Sequence, residues 1–173
     1  METLIVDIGT SSIKAGVLTR GKRKLHDPHA APMATYALPS TAATAPSVDV
    51  IASVLDSIVE AEQKWSSNAN NCLMLLVSPF TKRLAKEKLL RHAFEKYSPK
   101  CVFIGYAPAM GLIGASHTAG TVIDVGHEEI TIVPIVDAQP LLQHAITLPY
   151  GGAMQTQCCA QLLSSRAQDS GIT

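Results

Sequence analysis

"LIVDIGTSSIKAGVLT", residues 4–19, decides the reading of the fold. Two runs of β-branched and apolar residues flank a cluster of Gly, Thr and Ser, and that pattern specifies two strands joined by a tight turn. One acid, Asp7, and one base, Lys14, stand against an apolar and hydroxyl-rich background. A glycine in such a turn lets successive backbone N–H groups approach an anion, and a carboxylate just before it can hold a magnesium ion through water. The pattern recurs in "TVIDVGHEEITIVPIV", residues 121–136: apolar strand, Asp, one residue, Gly, polar turn, apolar strand. One Asp-x-Gly is common in ordinary turns, whereas two, each between predicted strands and separated by two strand–helix units, describe a pair of hairpins able to clamp a polyphosphate. A plainer use stays open on the residues alone, in which Asp7 and Asp124 bond turn amides and Lys14 is a solvated strand residue paired with one of them.

Between the hairpins the periodicity is regular. Ser47 can cap a helix reaching Trp65, with Ile51, Val54, Leu55, Ile58 and Trp65 on one stripe. "CLMLLV" (72–77) has the length and continuous apolarity of a strand covered on both faces. An amphipathic helix follows, capped by Thr81 and ending before Pro99, and "CVFI" (101–104) is a second buried strand. A small apolar helix within residues 106–120, a third strand of the second sheet in "LLQHAITLP" (141–149) and a last helix after Gly151 and Gly152 complete the pattern. Residues 20–47 begin with the basic run "RGKRK" and continue rich in Ala, Pro, Ser and Thr, which predicts an exposed strand and a loop.

Composition excludes several classes. Hydrophobic residues at 47% and charged residues at 16% exclude a disordered polyampholyte and leave little charge for the surface, so either a face is shared with a partner or alanine inflates the fraction. Fourteen basic residues against fourteen acidic ones give no electrostatic case for nucleic acid or an anionic membrane. The run "RGKRK" reads as a solvated hairpin tip, with an acidic docking surface or a targeting signal as the alternatives. Cys72, Cys101, Cys158 and Cys159 form no CxxC pair and Met1 opens no signal peptide, which predicts reduced thiols in an oxidant-free compartment. The scattered histidines offer no zinc spacing, and the apolar runs are too short to cross a bilayer.

These stretches resemble the actin family. "DIGTSSIKAG" is similar to its first phosphate motif and "GTVIDVGHEEITIVPIV" to its second. Residues 77–120 resemble its strand ending in Pro, Lys-rich helix, further strand and hinge helix, and "HAITLPYGG" resembles its strand and turn before the next helix. Within the family, the second motif, "LPYGG" and the shortness of residues 20–47 resemble most the pointed-end actin-related subunit of dynactin. The resemblance implies an α/β, actin-like (ribonuclease H-like) mixed sheet with helices on both faces. Residues 1–118 would form the first domain, with a reduced, loop-rich second subdomain at about 20–47. Residues 119–165 would begin a second domain of three strands and a helix, and 166–173 a flexible tail.

Carried over residue by residue, Asp7 corresponds to the aspartate near magnesium, Thr10 to the γ-phosphate hydroxyl position and Lys14 to the phosphate-contacting lysine. Gly9, Ser11 and Ser12 complete that turn, with Ser11 where the family has glycine, and Asp124 and Gly126 match the second motif. His127 and Glu128 depart from it, bringing a side chain and a negative charge to a turn meant to meet phosphate. Ala107 and Thr131 stand where the family has the groups that position the attacking water, so no ATPase is expected. The expectation is a non-catalytic, actin-like structural or capping subunit of a cytoskeletal or microtubule-motor assembly, dynactin-like or axonemal, in the cytoplasm. Its partners would be other protein subunits, including actin or an actin-related protein, with no nucleic acid and no membrane. No cofactor is required, and ATP or ADP with Mg would occupy at most a vestigial phosphate site. The alternative is an ATP-binding protein of the actin, Hsp70 and sugar-kinase fold with residual hydrolysis. The methionine start and polar tail point to a complete chain, against a fragment or half of a split gene.

Overall fold

The structure is a computed structural model, and it describes residues 2–19, 33–38, 46–66 and 70–169. The opening stretch forms β1 (Glu2–Ile8) and β2 (Ser12–Thr19), antiparallel, with Glu2 opposite Thr19 and Ile8 opposite Ile13. β3 (Ala34–Ala37) adds to β2, while β4 (Asn71–Val77) and β5 (Cys101–Tyr106) run parallel on the other side, giving the order β3-β2-β1-β4-β5. α1 (Val48–Ala61) and the one-turn α2 (Gln63–Ser66) lead into β4, and α3 (Arg83–Tyr97) joins β4 to β5. α4 (Ala107–Gly114) then crosses to a second sheet of β6 (Gly120–Val125), β7 (Ile130–Val136), β8 (Gln139–Pro140) and β9 (Ile146–Leu148). α5 (Gly152–Asp169) closes the described chain. The basic run at 20–24 lies outside the described residues.

The main core forms where the two-residue period of the strands meets the helical stripe. Leu4, Val6, Ile13, Ala15, Leu73 and Leu75 face Ile51, Leu55 and Ile58 of α1 and Leu89 and Ala93 of α3. Ser47 caps α1 as expected, its Oγ accepting from Val50 N–H at 3.3 Å. The helix does not run on to Trp65. It stops at Ala61, where Glu62 leaves helical geometry, and fully buried Trp65 turns inward to donate its indole N–H to the Cys72 carbonyl at 2.9 Å. A buried indole requires an acceptor, which the β4 backbone supplies and a continuous helix would not reach. Thr81 is not a cap either: its N–H closes a turn on Ser78 O at 3.0 Å, and Lys82 takes the cap position without a side-chain bond. Across α1 and α3, Asp56 accepts from Lys96 Nζ at 2.6 Å, His92 Nε2 at 2.8 Å and the Tyr97 hydroxyl, which ties the two helices together.

The two faces of the first sheet are unequal. α1 and α3 cover one, while on the other Ile5, Met74 and Phe103 share a row and Phe103 is 53% exposed. Among the described residues, α4 reaches this second face, with Met110 against Gly105, so the mixed sheet carries helices on both faces as expected, more sparsely on this one. The expectation of four free thiols is corrected as well. Cys72 and Cys101 are direct register partners on β4 and β5, with Cα atoms 4.9 Å apart, and form a disulfide. Parallel pairing brings together positions 29 apart in sequence, which no local spacing reveals; Cys158 and Cys159 stay free and exposed. The strand expected over 141–149 shrinks to β9 after a 3-10 turn at Leu142–His144, and α5 runs to Asp169 where a frayed tail was expected from 166. Among the described residues no helix is long and apolar enough to cross a membrane.

Candidate functional site

The echo seen in the sequence extends to atoms. Gly9 N–H donates to Ser12 O at 3.1 Å, and Gly126 N–H donates to Glu129 O at 2.9 Å, so both turns close over the same span. A Cβ on Gly9 would lie 2.8 Å from Ser12 O, and one on Gly126 2.9 Å from Glu129 O, so each turn excludes any side chain by contact with backbone. Register matches too: Asp7 faces Lys14 across the first hairpin and Asp124 faces Thr131 across the second. Thr131 therefore occupies in the second repeat the position that Lys14 holds in the first.

The turns face one another across a cavity of about 260 Å³. The first hairpin contributes Asp7, Gly9, Thr10, Ser11 and Lys14, and the second contributes Asp124 and Gly126. Every residue expected at the site is thus brought together except Ser12, whose carbonyl is committed to Gly9 and whose backbone already pairs with Ala37 in β3. Ser78, Pro79 and Pro108 close the floor between the hairpins. Among the described residues the amides of Thr10 and Ser11 donate no hydrogen bond, which leaves two adjacent donors at the cavity wall.

Burial pushes the Asp7 carboxyl up; the Lys14 cation opposes this and the Asp124 carboxylate adds to it, for a net rise above 3.8. The cavity thus disfavours a second negative charge unless a cation or a proton accompanies it. Among the described residues Thr131 Oγ1, which is buried, has no hydrogen-bond partner. A hydroxyl left so costs about 1–3 kcal/mol, and a water or an anion oxygen would satisfy it.

The second turn differs from the expectation in one respect. His127 lines the cavity, but the acid that does so is Glu129, not Glu128. Glu128 is drawn under Gly151, where a Cβ would lie 2.3 Å from His127 O and 2.6 Å from the Glu128 carbonyl carbon. Gly152 N–H then donates to Gly126 O at 3.0 Å and Ala153 N–H to His127 O at 2.8 Å. The first amides of α5, which would otherwise attract an anion, are satisfied by the turn itself. Alternation along the strand was the signal for Glu129, since it sits two residues before Thr131 on the same face.

Ala107 and Thr131 both line the cavity, so the two positions expected to position water carry a methyl group and a hydroxyl. The residues fit a phosphate-sized anion beside Lys14. Among the described residues no cluster of three His, Cys, Asp or Glu side chains could hold a metal ion.

The family model described as Actin matches residues 21–170. Actin-related protein 4 of Arabidopsis thaliana is 26% identical over 132 residues, covering 69% of this chain and 30% of that protein. The SWI/SNF and RSC complexes subunit arp9 of Schizosaccharomyces pombe is 33% identical over 89 residues, or 51% of this chain and 17% of that protein. Human actin-like protein 7A is 23% identical over 121 residues, 70% of this chain and 28% of that protein. The chain spans less than a third of the length of each of these relatives.

Proposed function

The chain belongs to the actin family, and on that premise we propose that it is a non-catalytic structural subunit of a multi-protein assembly, with a cleft reduced to a vestigial phosphate site. The observation that carries this reading is the lopsided cleft. The first hairpin keeps Lys14 and the two unbonded amides, while Ala107 and Thr131 put a methyl group and a lone hydroxyl where the family has its water-positioning groups. An actin-type fold with an inert cleft contributes surface and shape. The assembly we favour is cytoskeletal or a microtubule motor, dynactin-like or axonemal, in keeping with the second motif and "LPYGG". A second reading takes its support from the relative named as a SWI/SNF and RSC complexes subunit, and would place the chain in an assembly of that kind.

Affinity isolation of the full chain at native abundance, with stoichiometry by mass spectrometry, separates the two. Motor or cytoskeletal subunits at fixed ratio support the first and SWI/SNF-type subunits the second; recovery as a lone monomer in low and high salt overturns both. Calorimetry with Mg-ATP and Mg-pyrophosphate tests the cleft. Hydrolysis above the blank that disappears in Lys14→Ala would refute the non-catalytic assignment and favour the residual ATPase instead.

A further inference from the structure

The cavity between the hairpins is unevenly charged. Asp7, Asp124 and Glu129 bring three carboxylates to it, and Lys14 is the one permanently charged base among the described residues that line it. A bare phosphate beside Lys14 would therefore add to a negative charge already in surplus. That surplus belongs to the second hairpin. In the first, register sets Lys14 across from Asp7, so acid and base share one hairpin. In the second, the place of that lysine falls to Thr131, opposite Asp124. Among the described residues neither Asp124 nor Glu129 takes part in an ion pair.

Thr131 marks the same wall independently. It is 6% exposed and lines the cavity, and its Oγ1 has no hydrogen-bond partner among the described residues. Native folds leave few buried hydroxyls in that state, and a donor on a ligand would satisfy this one. Glu129 precedes it by two residues on the same strand face, so a donor that reaches Oγ1 finds carboxylates along and across the hairpin. A metal ion matches this wall poorly, since among the described residues no three His, Cys, Asp or Glu side chains could hold one. An ammonium asks for less. One carboxylate and one hydroxyl oxygen accept two of its three N–H donors, and water takes the third.

We infer that the cleft binds a small zwitterion of the aminoalkyl phosphate class, with its phosphate on Lys14 and the Thr10 and Ser11 amides and its ammonium on Asp124, Glu129 and Thr131. The ligand's ammonium supplies to the second hairpin the cation that Lys14 supplies to the first. Its phosphate takes the two adjacent amides that the first turn leaves unbonded. Each end offsets the charge that would repel or strand the other, so the two together bind better than either alone, and a ligand lacking one end is disfavoured. This inference rests on the phosphate-site reading above and names the ligand of that site. The chemistry is shared by a free monoester and by a lipid headgroup.

The test is calorimetry of the full chain with phosphoethanolamine, ethyl phosphate and ethylamine, the last two each lacking one end. Phosphoethanolamine should bind about tenfold tighter than either, a ratio that one charge-assisted hydrogen bond can supply. Glu129→Gln and Asp124→Asn, both close in shape to the parent, should each bring phosphoethanolamine to within about twofold of ethyl phosphate. Lys14→Ala should instead bring it down to ethylamine. Flotation with vesicles of phosphatidylethanolamine in phosphatidylcholine distinguishes the sources: capture that grows with phosphatidylethanolamine assigns a headgroup, soluble binding without capture assigns a free monoester, and either supports the inference. Equal affinity for phosphoethanolamine and ethyl phosphate overturns the zwitterion and spares the phosphate site. Ethylamine bound as tightly as phosphoethanolamine, or no binding of any of the three at millimolar concentration, overturns both.

Discussion

Two adjacent glycines should respond to the same substitution with opposite signs. In Gly151→Ala the new methyl meets the His127 carbonyl oxygen at 2.3 Å and the Glu128 carbonyl carbon at 2.6 Å, both backbone atoms that cannot swing aside. In Gly152→Ala the nearest atoms are Gly126 O at 3.8 Å and His127 Cα at 3.9 Å, ordinary contact. Among the described side chains α5 buries none from residue 154 to 166, so the simplest response to the clash is for the helix to lose its bonds from Gly152 N–H and Ala153 N–H to the turn. Two such bonds are worth about 1–3 kcal/mol together, so hydrogen-exchange protection at those amides should fall roughly 5- to 150-fold in Gly151→Ala. Gly152→Ala restricts the unfolded chain at a helical position and should gain about 0.4–1 kcal/mol, a two- to fivefold rise. Native-state exchange resolved to residues 151–156 reads both. Equal losses in the two variants, or unchanged protection in Gly151→Ala, would show that the second turn does not anchor α5 and refute the geometry on which the cleft's second wall rests.

Three further outcomes follow from the same physics. Burial pushes the Asp56 carboxyl up, but hydrogen bonds from Lys96, Tyr97 and His92 outweigh it and hold its pKa below 3.8. Its stabilising contribution is therefore full above 3.8 and lost as pH falls below it. Asp56→Asn should be less stable than the parent at pH 7 and converge with it in acid, whereas a constant gap across an acid series of thermal melts would contradict the assignment. Thr131→Val removes the orphaned hydroxyl and should raise stability by about 1 kcal/mol, or roughly 2–4 °C in the midpoint; a drop would mean that the hydroxyl is bonded after all. Thiol titration of the unfolded, unreduced protein should find only Cys158 and Cys159. With the bridged positions 29 apart in sequence, Cys101→Ser should cost about 3–4 kcal/mol by loop entropy, and four titrating thiols would refute the bridge.

How much was legible in the sequence depended on whether the cause was local. Both hairpins, α1's cap at Ser47 and the order of the strand–helix units follow from periodicity and turn chemistry within a dozen residues. Local too was the gathering of Asp7, Gly9, Thr10, Ser11 and Lys14, since one hairpin carries them all. What escaped was set by distant partners. Trp65 leaves the helix because Cys72 offers an acceptor, and Cys72 meets Cys101 because two parallel strands share a register. Glu129 replaces Glu128 at the cavity because Gly151, more than twenty residues on, admits the Glu128 backbone beneath it. None of these is encoded in the spacing of neighbours.

The contrast between the repeats also explains where anion affinity can survive. The same Asp-x-Gly turn stands over a closed core in the first sheet and over an open face in the second. Closure by α1 and α3 fixes β1 and β2 from one face, and on the other Asp7 is desolvated in the cavity between the hairpins, so its carboxyl is raised while Lys14 faces it from the paired strand. In the second sheet Asp124 is exposed and faces Thr131, and the turn's carbonyls are committed to α5. Preorganised donors hold an anion only where their scaffold is rigid and partly dry. A phosphate should therefore be held by the first hairpin alone. Pyrophosphate affinity in Lys14→Ala and Asp124→Asn decides this: a loss confined to Lys14→Ala supports the assignment, and an equal loss in Asp124→Asn would show that the second hairpin shares the anion.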